Sequence, residues 1–256
     1  MIEQLDRAVL IDKIVECLKP LDYVHALWAM GSASFDRVDE WSDIDTMAIV
    51  SDDSVEETFT AIEKMLENIS TIEYKYRRPE PGWHDIFQTI YCLEKVNPFM
   101  SIDFNVIKES NPEKNLEKDM HGAPIILFDK KGLIKETYLD KNKHKIEVEE
   151  RLLAIKKKYP LARNYVLKEL NRGNDIAAFS NYYRLIYWPL VDVLRIKHCP
   201  ERYDFGETYA RYDLPEKDWQ TLKMLCYVST PNDLKQKIDL AEKRFKEVID
   251  ELEKTH

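Results

Sequence analysis

Cysteine is scarce in this chain, and its few copies are dispersed. The 256 residues contain four, at Cys17, Cys92, Cys199 and Cys226, and no two of them form a CxxC pair. Neither a zinc knuckle nor a disulfide framework is therefore indicated. We expect four reduced thiols.

Long apolar runs are missing as well. No stretch approaches the roughly 18 to 20 residues that a membrane span requires, because charged residues interrupt every run. The amino-terminal segment MIEQLDRAVLIDKIVECLK is amphipathic, with acidic and basic residues, and does not have the form of a signal peptide. These absences predict a cytoplasmic protein without a membrane partner.

The charge is divided unevenly between the two parts of the chain. With 38 Lys+Arg against 47 Asp+Glu the net charge is −9, made up of −10 over residues 1–145 and +1 over residues 146–256. An acidic half repels nucleic acid and concentrates cations, whether metal ions or polyamine-like substrates. The alternative is that the surface carboxylates only keep the protein soluble. We expect no nucleic-acid partner.

The spacing of apolar residues also differs between the two parts of the chain, and it changes at about residue 145, as the charge does. Residues 1–145 mix β-like runs with two amphipathic helices, one over residues 3–19 and one that a capping-box pair, Ser54 and Glu57, would open and that runs to about Ile69. The predicted strands are 24–30, 44–50, 72–76, 86–93, 100–107 and 124–132, and the later helices are 146–171, 174–197, 215–228 and 232–254. This predicts an α+β fold, with a mixed β-sheet and flanking helices in a first domain (1–145) and a helical bundle in a second (146–256).

One stretch of the first domain carries the chemistry. A strand runs into Gly31-Ser32, ten residues follow, and a second strand opens with Asp43-Ile44-Asp45. Side chains at i and i+2 of a strand project on one face, so the two carboxylates point together and repel each other unless a cation joins them. Two-metal phosphoryl-transfer sites need such carboxylates around ions ~3.5–4 Å apart, and oxygen ligands favour magnesium over zinc. Gly31 allows a phosphate to approach the backbone, and Ser32 offers a hydroxyl and an amide.

A later strand offers a third carboxylate. In residues 100–107 the apolar Ile102, Phe104 and Val106 share one face, which leaves Asp103 on the other with Ser101 and Asn105. Asp103 could bind metal or take the proton from an attacking hydroxyl, and the sequence leaves both roles open.

Gly-Ser, a gap of this length, Asp-x-Asp and a later Asp together resemble the nucleotidyltransferase superfamily related to DNA polymerase β. The wider layout, an acidic α/β half followed by a helical half, is similar to bacterial aminoglycoside adenylyltransferases of the streptomycin 6-adenylyltransferase type. The resemblance implies transfer of AMP from ATP to a hydroxyl of a small molecule, with release of pyrophosphate. It also implies that Gly31 and Ser32 bind the triphosphate, and that Asp43, Asp45 and Asp103 are the catalytic carboxylates and ligate Mg2+, with two ions expected.

The chain departs from the superfamily pattern just after the serine. Many members carry an arginine directly after the Ser or a second glycine further on, whereas this chain has Ala33 and Asp36 there. Arg37 could supply the missing positive charge to the nucleotide, or it could be an ordinary surface arginine.

The expected partners are a nucleoside triphosphate and a small cationic acceptor such as an aminoglycoside antibiotic, and the helical half is the expected substrate-binding domain. Two other functions fit the same motif. The protein could adenylylate another protein, as small antitoxin nucleotidyltransferases do, or it could be a catalytically inactive module that binds nucleotides. The oligomeric state is left open.

Overall fold

The computed structural model describes residues 5–255, apart from the side chains of Trp83 and Thr255. Contacts divide the chain into two compact units, Met1–Leu139 and Asp140–His256. The first unit holds a β-sheet with helices and the second is helical, so the predicted α+β class is confirmed.

The first unit contains six strands and three α-helices within the described residues. The helices are α1 (Arg7–Leu18), α2 (Val55–Ile69) and α3 (Lys118–His121), and the strands are β1 (Val24–Ala29), β2 (Ile44–Val50), β3 (Ile72–Arg77), β4 (Phe87–Leu93), β5 (Ile102–Lys108) and β6 (Ile125–Asp129). Each of the six predicted strand segments thus overlaps a strand, and β3 and β5 each run one residue past the predicted end. Helix α1 lies inside the predicted 3–19, of which residues 3 and 4 fall outside the described residues.

The strands form one mixed sheet in the order β3-β4-β5-β2-β1-β6. Strands β2 and β5 are parallel, and every other neighbouring pair is antiparallel. As a result β1 ends at the same edge of the sheet at which β2 and β5 begin. This edge is called the site edge below.

Apolar side chains cover the two faces of the sheet unequally. One face packs against α1 and α2 in a large core that includes Leu10, Ile62 and Phe104. On the opposite face a smaller cluster includes Met47 and Ile107. Because side chains alternate along a strand, Asp45 and Asp103 belong to this second face, at its site-edge end.

The second unit packs its helices around an apolar core of its own. It contains α4 (Lys141–Asn171), α5 (Asp175–Tyr182), a π-helical turn (Tyr183–Tyr187), α6 (Trp188–His198), α7 (Ala210–Asp213), α8 (Glu216–Cys226) and α9 (Pro231–Thr255). Helix α4 begins earlier than predicted because the Asp140 side chain caps it, accepting from the backbone N–H groups of Asn142 and Lys143 over 2.9 and 3.1 Å.

The capping box predicted at α2 is wrong, because its side-chain hydrogen bond at Ser54 is not formed. Helix α2 nevertheless ends at Ile69, as expected. Ser54 is the N-cap residue but makes no side-chain capping hydrogen bond. Its backbone carbonyl instead accepts from the Thr58 hydroxyl over 2.7 Å. Acidic residues Glu56 and Glu57 in the first turn suit the positive end of the helix dipole.

All four cysteines are free thiols. Among the described residues, none of the helices combines the length and the apolar character needed to cross a membrane.

Candidate active site

Three of the predicted site residues meet at the site edge. In the parallel β2–β5 pair, Asp45 lies directly opposite Asp103. The Met30 backbone N–H, at the end of β1, donates to the Asp45 carbonyl over 3.0 Å, which places Gly31 next to β2. The fold therefore brings the Gly-Ser turn and two of the three aspartates together.

Gly31 packs its backbone against the Asp45 carboxylate. Its φ is +62°, and a Cβ built at this position would lie 2.0 Å from Asp45 Oδ2. A side chain here would therefore be strained and would also displace the carboxylate. Gly31, which was predicted to admit a phosphate, is thus also needed to leave room for the Asp45 carboxylate.

Ser32 lies in the turn that Gly31 opens, a 3-10 helix over Gly31–Phe35, and Arg37 follows this turn. The Ser32 hydroxyl is buried and has no hydrogen-bond partner among the described residues. The Arg37 backbone N–H donates to the Ser32 carbonyl over 2.9 Å, and its guanidinium lies 5.1 Å from the Phe35 ring centroid. The Arg37 backbone thus closes the turn, and the arginine whose charge lowers the pKa of Asp45 is Arg7.

Asp45 is a half-buried carboxylate in a strongly acidic setting. Burial, then the charges of Asp103 and Asp43, raise its pKa to about 6, and the charge of Arg7 opposes them. Ionising Asp45 at neutral pH is therefore costly in the absence of a further cation.

Amide groups hold both oxygens of Asp103. The Gln88 side-chain amide donates to Asp103 Oδ1 and Oδ2 over 3.0 and 2.8 Å, and the Asn105 amide donates to Oδ1 over 3.0 Å. Burial raises the pKa of Asp103, and the bonds from Gln88 and Asn105 work in the opposite direction because they favour the ionised form. The carboxylate is thereby fixed in orientation.

Asp43 lies one residue before β2 and is exposed. Its Oδ1 accepts from the backbone N–H and the hydroxyl of Ser101 over 3.1 and 2.9 Å, which ties it to the start of β5. Its charge contributes to raising the pKa values of both Asp45 and Asp103.

The donor set suits a hard cation, because it consists of carboxylate oxygens that repel one another. Nowhere among the described residues, however, do three or more His, Cys, Asp or Glu side chains form a group that could hold a metal ion. Asp45 and Asp103, which are register partners, could hold such an ion between them. Both Asp103 oxygens already accept from amides, and one Asp43 oxygen accepts from Ser101.

Sequence reasoning missed Arg7, the first residue of α1. Its Nη1 donates to the backbone carbonyls of Ser42 and Asp43, and its Nη2 is buried without a hydrogen-bond partner in the described part of the chain. Burial lowers the pKa of Arg7, and the negative charges of Asp45 and Asp43 oppose this shift. No local pattern marks this arginine, since its contacts lie about 35 residues further along the chain.

Gln88, Ser101 and Asn105 were not predicted as site residues either. Ser101 and Asn105 share the polar side of β5 with Asp103, so the period-2 pattern contained a signal for both. Gln88 comes from β4, where the pairing of Gln88 with Asn105 sets its position, and pairing partners are not visible in one strand's sequence.

No family model matches the chain, and no curated protein matches it. The chain is similar to several solved structures. Three of them are an aminoglycoside 6-adenyltransferase from Bacillus subtilis (14% identity, 95% of this chain and 89% of that chain covered, TM-score 0.36), a nucleotidyltransferase-like protein from Exiguobacterium sibiricum 255-15 (12%, 94% and 74%, 0.38), and the spectinomycin adenyltransferase AAD(9) from Enterococcus faecialis with ATP and spectinomycin (14%, 94% and 100%, 0.35).

Two of the three are adenyltransferases by name, and the third is named nucleotidyltransferase-like. With TM-scores below 0.5 they do not define the chemistry of this chain. That chemistry follows from the residues of its own site.

Replacing Gly31 with alanine tests the contact between the turn and the carboxylate. We expect Gly31→Ala to lower the free energy of unfolding by about 2–4 kcal/mol, from left-handed backbone strain plus displacement of Asp45. Gly132→Ala is the matched control, because Gly132 has a φ of +66° and nothing within 4 Å of its Cβ position. Equal losses in denaturant titrations of the two variants would contradict the proposed contact.

A double-mutant cycle tests the charge balance at Asp45. A pKa of about 6 in the folded chain lies above the ordinary 3.8. Protonated Asp45 therefore stabilises the metal-free fold at low pH, and this contribution is lost as the pH rises through 6. In EDTA at pH 7, Asp45→Asn should raise the free energy of unfolding by on the order of 2 kcal/mol, and the gain should vanish near pH 4.

Arg7→Met should lower the same free energy at pH 7, and lower it less in the Asp45→Asn background, with a coupling of about 1 kcal/mol. Lys13→Met, on the same helix, is the control and should show no coupling to Asp45. Additive effects of the Arg7 and Asp45 changes would show that Arg7 does not balance this carboxylate.

Proposed function

We propose that this chain is a magnesium-dependent nucleotidyltransferase that moves AMP from ATP to a hydroxyl of a small cationic molecule, of aminoglycoside type, and releases pyrophosphate. One observation carries the proposal. Asp45 and Asp103 face each other across parallel strands, half-buried and with raised pKa values, beside a Gly-Ser turn. A divalent cation would relieve the repulsion between the carboxylates, and a phosphate chain bound to that cation would fill the polar end of the sheet.

The residues divide the work of such a site. Asp45 and Asp103 would hold Mg2+, with Asp43 as the third ligand once its carboxylate leaves Ser101. When bound, Mg2+ neutralises charge that develops on the phosphates. Gly31 would let the triphosphate approach the backbone, and the buried hydroxyl of Ser32, in the same turn, would donate to it. Arg37 would be a cation for the nucleotide.

Gln88 and Asn105 have a positioning role in this proposal. Because they hold both oxygens of Asp103, they keep one carboxylate oriented while substrates exchange. Asp103 either holds metal or accepts the proton of the attacking hydroxyl, and the two roles predict different consequences of its loss for metal affinity.

The acceptor is proposed from charge. The acidic residues of the first half favour a protonated amine over an anion.

Pyrophosphate release from ATP tests the function directly. The wild-type protein should release pyrophosphate with Mg2+ and at least one member of a panel of aminoglycosides, lincosamides and amino-sugars, and should stop in EDTA. Asp45→Asn should lower kcat by at least about 100-fold, because it removes a charge that acts in the transition state. Asp53→Asn, an exposed aspartate of the same unit, is the control and should keep wild-type turnover.

Two outcomes would contradict the proposal. If Asp45→Asn released pyrophosphate at the wild-type rate, the metal assignment would be wrong. If the wild-type protein bound ATP with Mg2+ but released no pyrophosphate with any acceptor, the chain would be a nucleotide-binding module. Transfer of label from ATP to proteins in a lysate would instead identify protein adenylylation.

A further inference from the structure

Two large aromatic side chains are exposed beside the aspartates. Trp41 is 56% exposed and Phe99 is 62% exposed. Their rings meet edge to face, with centroids 5.1 Å apart and an interplanar angle of 75°. We call these two residues the aromatic pair.

The aromatic pair sits at the site edge. Trp41 precedes Asp43 by two residues, and Phe99 precedes Ser101, the residue that donates to the Asp43 carboxylate, by two. The pair therefore bridges the two loops that lead into β2 and β5. The Gly-Ser turn follows β1, which is on the other side of β2 from β5 in the sheet order.

Hydrogen bonds hold both loops in place. The Trp41 backbone N–H and the Ser42 hydroxyl donate to the Asp39 carboxylate over 3.0 and 2.8 Å. The Asn97 side-chain amide bonds to the Glu40 carbonyl over 3.3 Å, and its carbonyl oxygen accepts from the Phe99 N–H over 3.1 Å. The two loops thus hold both aromatic rings exposed to solvent. Exposed apolar surface is unfavourable, and a ligand that covers the rings would bury it.

The charge around the pair selects the kind of ligand. Asp39, Glu40 and Asp43 come from the same loop as Trp41, and these three carboxylates outnumber the two arginines nearby, Arg37 in that loop and Arg7 at the Asp43 carbonyl. Such a setting disfavours a triphosphate and favours a protonated amine, and aromatic faces also attract cations. A ligand that combines an apolar ring face with amines matches both features.

We propose that Trp41 and Phe99 bind the acceptor, by taking the apolar face of a saturated ring that carries protonated amines. The role in catalysis rests on the function proposed above, while the binding itself needs no turnover. The nucleotide would then lie on the side of the Gly-Ser turn, and the acceptor hydroxyl on the side of the aromatic pair.

Calorimetric titration of the full chain with neamine, an aminocyclitol joined to an amino-sugar, tests this binding without ATP. Wild-type protein should bind neamine, while myo-inositol, a ring without amines, and putrescine, a diamine without a ring, should bind at least tenfold more weakly. Trp41→Ala and Phe99→Ala should each weaken neamine binding about tenfold. Trp41→Phe, which keeps a ring, should stay within about threefold of wild type.

Tyr138→Ala is the matched control, because Tyr138 is a 58% exposed aromatic in the same unit. It should leave neamine affinity unchanged, and all variants should keep the ATP affinity of the wild type, which also shows that they are folded. Unchanged neamine binding by Trp41→Ala, or no binding by the wild type, would overturn the proposal. A loss of ATP affinity in Trp41→Ala with neamine affinity intact would overturn it in favour of a nucleobase contact.

Pyrophosphate release distinguishes a failure of this inference from a failure of the proposed function. Turnover with an unchanged acceptor KM in Trp41→Ala would sink the aromatic assignment alone. Trp41-dependent neamine binding without turnover by the wild type would sink the enzymatic function alone.

Discussion

Two half-buried carboxylates that face each other across parallel strands are the constraint around which this site is built. Asp45 and Asp103 are register partners, and burial raises the pKa of each. Such a pair is unfavourable at neutral pH unless positive charge or donors compensate. Arg7 supplies the positive charge, and the Gln88 and Asn105 amides supply the donors at Asp103. At Asp45 the charge of Arg7 does not offset burial and the neighbouring carboxylates, since its pKa stays raised. The Oδ2 atom of Asp45 faces Gly31 of the Gly-Ser turn.

Sheet topology explains why these residues converge. The parallel β2–β5 pair puts the starts of two strands at one edge, and the antiparallel β1 delivers its end to the same edge. Three chain segments therefore meet there, and the start of β5 is the one that is distant in sequence from the other two. Helix α1 packs on the opposite face of the sheet and sends Arg7 to the loop before β2. One face of the sheet thus provides the core, while the other provides the chemistry.

Much of the first unit could be predicted from sequence because its strands are short apolar runs with a clear period. Gly31, Asp45 and Asp103 could be predicted for the same reason, since strand ends and alternation fix their positions. Arg7 and Gln88 could not, because one acts over a sequence separation of about 35 residues and the other depends on the pairing of β4 with β5. Residues 174–197 have one continuous helical pattern in which Pro189 predicts a break or a kink, and a π-helical turn at Tyr183–Tyr187 divides them just before that proline. Pro160 shows the converse, since α4 continues through it.

In the proposed arrangement, the phosphates would bind at the Gly-Ser turn after β1, the cation between Asp45 and Asp103, and the acceptor at the aromatic pair before β2 and β5. Everything in that arrangement depends on a divalent cation binding between Asp45 and Asp103. Titration with Mn2+, followed by the electron paramagnetic resonance signal of the free ion, measures this most directly. The account predicts that the wild-type protein takes up Mn2+ that Mg2+ displaces, and that a protein with both Asp45→Asn and Asp103→Asn takes up none at this site. Equal uptake by the two proteins would contradict it.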